Sequence, residues 1–238
     1  MKINNTRSYF LLFILPLIVM TKANATLIDT TPSWNGSSGT CCFGEGSTDT
    51  YGQTFSVGGQ DTVLNSFSFW IDDRTDVNRP IDFAAYVMEW HDATGIADYS
   101  HVVGSVLYSS FQKVTTNNGE NGGMELFTFN TGGLQTQSGK KYVAFISSSL
   151  FWDGVNSSGY VGSIGNCCDG TGNVYGSGDF VLISNGNNFM PYISEAGWNR
   201  YSQDLAFVAN FSSPVPLPAA FWLFGSGVIG LFGFMRRR

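Results

Sequence analysis

Residues 63–71 read Val63-Leu64-Asn65-Ser66-Phe67-Ser68-Phe69-Trp70-Ile71. Phe67, Phe69 and Ile71 alternate with Ser66, Ser68 and Trp70, and a period of two gives one apolar and one polar face only if the chain is extended. The same pattern continues outward. Strands are predicted over 51–57, 81–90, 102–109, 125–129, 141–148, 180–183 and 204–211. The 81–90 run is apolar on both faces, as a central strand is. Turn signals separate these runs: Gly58-Gly59, Asn117-Asn118-Gly119, Asn121-Gly122-Gly123, Gly132-Gly133 and Asn185-Gly186. Helical periodicity is nearly absent. The pattern predicts an all-β fold, an antiparallel β-sandwich of jelly-roll-like type, with its first and last strands paired. Residues 149–200 are less regular and read as long loops at one end, where binding usually sits.

The composition supports one domain. Glycine, serine, threonine and asparagine supply turns, and abundant aromatics exclude a disordered chain. All 18 acidic residues and only half of the 12 basic ones lie between the two ends, leaving the middle with twelve more acids than bases. So acidic a surface repels phosphates, which argues against nucleic acid as a partner. It suits a soluble exported protein or one that gathers divalent cations.

The ends carry addresses. A cationic stretch from Lys2 to Arg7 precedes an apolar run over 9–20, and Ala23-Asn24-Ala25 places small residues where signal peptidase cuts. Residues 1–25 therefore read as a signal peptide, and the apolar run is short for a membrane span. The other end reads Val215-Pro216-Leu217-Pro218-Ala219-Ala220, an uncharged apolar stretch over 221–235, then Arg236, Arg237 and Arg238. The prolines stop regular structure. The terminal arginines would hold that end on the cytoplasmic side of a transmembrane helix.

Motif, span and arginine cluster together resemble the PEP-CTERM family of sorting signals in its VPLPA-CTERM variant. The resemblance covers the tail alone. It implies that an exosortase cleaves near Val215, Pro216, Leu217, Pro218 and Ala219 and discards the helix. It also implies surface or matrix proteins of Gram-negative bacteria that make exopolysaccharide. An uncut membrane anchor is the alternative. The organisation is thus 1–25 signal peptide, 26–213 β-sandwich and 214–238 sorting tail.

Four cysteines form two adjacent pairs, Cys41-Cys42 and Cys167-Cys168, each followed by glycines. An even count in an exported chain reads as disulfides, with three connectivities possible. Cross-linking the pairs would close a loop of over a hundred residues, worth about 4–5 kcal/mol in the chain-entropy model. A four-thiolate zinc site is the rival, although adjacent cysteines chelate poorly.

No catalytic motif is present. His91 and His101 are the sole histidines, with no His-Glu-x-x-His pair and no Gly-x-Ser-x-Gly elbow. Glu89 and Asp92, or Glu120 and Glu125, could serve a glycoside hydrolase, but carboxylates are common on any acidic surface. Asp72, Asp73 and Asp76 cluster oxygen atoms after a strand and are candidate calcium ligands, although EF-hand spacing is missing. Trp70 falls on the polar face of its strand, and Trp152 and Trp198 lie among glycines and polar residues. All three are candidates for stacking on a sugar. The expected function is an exported protein with a structural or adhesive role in a polysaccharide-rich matrix. A carbohydrate-binding module and a glycan-active enzyme are the alternatives.

Overall fold

The computed structural model describes residues 25–74, 79–94, 98–116, 123–165, 171–190 and 197–214. Cys167, Cys168, Asp76, the sorting motif 215–219, the apolar stretch 221–235 and all but the last residue of the expected signal peptide lie outside them. Among the described residues no helix is long and apolar enough to cross a membrane.

Among the described residues thirteen strands follow in chain order: β1 (Leu27–Asp29), β2 (Gly39–Phe43), β3 (Thr50–Ser56), β4 (Val63–Asp72), β5 (Asp82–His91), β6 (His101–Ser109), β7 (Lys113–Val114), β8 (Glu125–Gln135), β9 (Lys141–Ser147), β10 (Gly159–Gly162), β11 (Phe180–Ile183), β12 (Asn199–Tyr201) and β13 (Phe207–Ser212). They form two antiparallel sheets, a sandwich. One runs β1-β13-β4-β10-β2, with β8 on the other side of β4; its partner runs β12-β11-β3-β9-β5-β6, with β7 also on β5.

The core lies where the alternation places it. Phe67, Phe69 and Ile71 of β4 and Phe207, Ala209 and Phe211 of β13 face Phe55 of β3, Phe83, Ala85 and Val87 of β5, and Ala144 and Ile146 of β9. Each phenylalanine so enclosed is worth about 1.5–3 kcal/mol of apolar transfer. The β5 run is apolar on both faces because both are covered. Its other face, with that of β9 and β11, carries Tyr86, Met88, Trp90, Phe145, Val181 and Ile183, packed under Phe189 and Trp198.

Three expectations need correction. The last strand, β13, pairs with β1, at Leu27↔Asn210 to Asp29↔Val208, and with β4 on its other side, whereas the 51–57 strand belongs to the opposite sheet. Residues 149–200 are not all loop, since β10, β11 and the start of β12 lie there and complete both sheets. Gly132-Gly133 is not a terminating turn. It sits inside β8 where the register with β4 shifts between Leu64 and Ser66, a bulge that positive-φ glycines permit.

Candidate functional site

Trp70 sits on the outer face of β4, one residue out of phase with buried Phe69 and Ile71. Chain entering β2 supplies a second indole. A short 3-10 turn at Thr31–Ser33, with Pro32 at its start, delivers Trp34. The following loop is tied to itself: Asn35 Oδ1 accepts the N–H groups of Ser37 and Ser38 at 3.0 and 2.7 Å, and Trp34 Nε1 donates to the Ser38 carbonyl at 2.7 Å. The indoles meet with centroids 5.4 Å apart, tilted at 57°. Gly162 of β10 makes room, because a Cβ there would stand 3.0 Å from Trp34 Cζ2 and 3.2 Å from Trp70 Cβ.

The two rings, with Ser37, Asp72 and Met124, line an open cleft of about 500 Å³. Asp72 shares the outer face with Trp70, and its Oδ1 accepts the N–H of Arg74 at 2.8 Å. Arg74 has φ 60, a left-handed conformation rare outside glycine and asparagine. Its guanidinium lies 4.5 Å from the centre of the Tyr160 ring, while Nη2 stands 2.7 Å from Cys41 Sγ. Tyr160 pairs with Asp72 on one side and Cys41 on the other, so all of these groups share one end of one sheet. Aromatic faces bordered by a carboxylate match the apolar faces and hydroxyls of a sugar.

The expected site residues divide. Trp70 lines the cleft. Trp152 is exposed elsewhere, with Nε1 donating to Asp49 Oδ1 at 3.2 Å and the next two N–H groups held by Glu45. Burial raises the Asp49 carboxyl above its ordinary range. Trp198 is 5 % exposed, edge-on to Trp90 and Phe145, so it is a core residue rather than a sugar platform. Trp34 escaped the sequence reading, because Asn35-Gly36-Ser37-Ser38 looks like linker and nothing local shows that it folds back on β4.

The calcium candidates part company as well. Asp72 lines the cleft, and Asp73, the next residue, is buried. Three of the catalytic-carboxylate candidates are engaged, Glu89 with Lys140 at 2.8 Å, Asp92 with Lys141 at 2.9 Å and Glu125 accepting from Thr116, and the fourth, Glu120, lies outside the described residues. Asp72 is the one carboxylate among the described residues lining the cleft. The sulfurs of Cys41 and Cys42 lie against each other as a vicinal pair. The second pair, Cys167 and Cys168, lies outside the described residues.

Residues 214–238 match the model of the PEP-CTERM protein-sorting motif. No curated protein and no solved structure matches the chain. A PEP-CTERM tail implies processing by an exosortase and is consistent with export to the cell surface or the extracellular space.

Proposed function

From a chain that carries an exosortase sorting motif, we propose an adhesive protein of the cell surface or matrix whose sandwich holds exopolysaccharide in the Trp34–Trp70 cleft. Signal peptidase would remove residues 1–25, the tail would anchor the chain in the membrane until exosortase cuts it, and the VPLPA-type motif would mark the cut. The observation that supports the reading is the pair of indoles beside Asp72 on a sheet's outer face. Glycoside hydrolysis is the weaker reading, because it needs two carboxylates and the described cleft offers one.

Binding of the purified exported protein to the host's exopolysaccharide tests this. Each ring is worth about 1 kcal/mol of stacking, so Trp34→Ala and Trp70→Ala should each weaken binding by about five- to tenfold. Trp152→Ala should leave it unchanged. Equal binding by the Trp34→Ala/Trp70→Ala double variant would remove the cleft from the reading. Intact mass of the native protein tests the processing, since an uncut tail still ends at Arg238.

A further inference from the structure

The chain has two histidines, and the fold sets them face to face. His91 ends β5, His101 begins β6, and the two are direct cross-strand partners in the ladder. Their ring centroids are 5.0 Å apart. Asp98, in the connection between these strands, brings its Oδ2 to 2.8 Å from His91 Nε2. One ligand atom from each of His91, Asp98 and His101 lies within 4.8 Å of the others, and all three side chains are partly open to solvent. Nothing in the core or the cleft uses this cluster.

We infer that His91, Asp98 and His101 form a binding site for a borderline divalent cation, with zinc as the reference ion. Two imidazoles and a carboxylate are a zinc ligand set with the fourth position left to water. His101 is already oriented for the task. Its Nδ1 lies 2.7 Å from the Tyr99 carbonyl, so Nδ1 carries the proton and donates, leaving the Nε2 lone pair for a metal. Asp98 is held in place by the N–H and hydroxyl of Thr94 at 2.9 Å, both on Oδ2, and by the N–H of Tyr99 at 2.9 Å on Oδ1. In a tetrahedral zinc site ligand atoms stand about 3.3 Å apart, so the cluster closes by roughly an ångström of side-chain rotation. Zinc takes the place of the proton between His91 and Asp98, and the 2.8 Å contact opens slightly to admit it. The bound ion ties the end of β5 to the start of β6.

Two histidines make the test direct. Untagged exported protein gives two imidazole Cε1–H signals by NMR, one per histidine, and zinc chloride should shift both, saturating at one equivalent. Zinc affinity by calorimetry should fall at least tenfold in His91→Ala and in His101→Ala, and less in Asp98→Asn. Urea midpoints of the metal-free variants, unchanged from the parent because these side chains are partly open to solvent, establish that loss of binding is not loss of fold. The inference is overturned if neither imidazole signal moves at one equivalent. It is equally overturned if the His91→Ala/His101→Ala double variant binds zinc as tightly as the parent.

Discussion

Replacing Gln53 by leucine should be among the most damaging isosteric changes available to this domain. Gln53 lies on β3, with no exposed surface, and its amide reaches the segment that leads from β12 into β13 of the opposite sheet. Nε2 donates to Asp204 Oδ1 at 2.7 Å, and Oε1 accepts the N–H of Leu205 at 2.8 Å. Asp204 and Leu205 are as deeply enclosed. Asp204 also takes the N–H groups of Val174 and Tyr175, each at 2.7 Å. Leucine keeps the volume, so no cavity opens. What remains is a buried N–H with no acceptor and a buried carboxylate oxygen with no donor.

Each orphaned group costs about 1–3 kcal/mol, the charged one at the upper end. A loss of about 3–5 kcal/mol follows, against a total stability of roughly 5–15 kcal/mol. With a urea slope of about 2–3 kcal/mol/M the midpoint should drop by roughly 1–2.5 M. Burial already raises the Asp204 carboxyl above its ordinary range, outweighing the hydrogen bonds that lower it. A raised native pKa means that the folded state binds the proton more tightly, so this group favours folding as pH falls and opposes it as pH rises. Gln53→Leu removes a donor to the anion and raises that pKa further. The deficit should therefore be smaller at pH 4 than at pH 7. A midpoint shift under 0.5 M, or a deficit that grows on acidification, would refute the argument.

Other expectations rest on separate features. Trp198→Ala should cost about 3–5 kcal/mol in urea unfolding, because its ring is packed on Trp90 and Phe145, whereas exposed Trp152→Ala should cost no more than about 1 kcal/mol. At Gly159 an added Cβ would overlap the backbone carbonyl of Asp72, which cannot rotate away, so Gly159→Ala should separate β10 from β4 and lower thermal stability by several degrees. Arg200 Nε and Nη2 both stand 2.7 Å from Asp179 Oδ2, a carboxylate with 8 % of its side chain exposed. Arg200→Leu leaves Asp179 with Lys141 at 3.7 Å and should cost about 1–3 kcal/mol, measured as a midpoint shift.

Alternation made the long strands legible, because β4 and β13 each bury one face against a single core. It failed where a strand is too short to show a period. β1 has three residues, and β10 is Gly159-Tyr160-Val161-Gly162, whose glycines read as turn rather than as room for Asp72 and Trp34 to approach. It also failed for Trp198, since the polar residues around it in sequence do not reveal that Phe189 and Trp198 fold over the outer face of β5 and β9. Trp70 was found by being out of phase with its neighbours. Trp34, and the pairing of His91 with His101, depend on contacts between segments, and those are not written in any one stretch.

The direction of β13 has a mechanical side. Its last residue, Ser212, lies opposite Val63 at the start of β4, while Trp70 and Asp72 stand at the other end of that strand. The tail leaves from one pole and the cleft opens at the other, about 25–30 Å apart along β4. A pull between a surface-bound tail and a polysaccharide in the cleft would run along the strands, at right angles to the ladder hydrogen bonds. Those bonds would then bear the load together, in shear, instead of opening one by one like a zip.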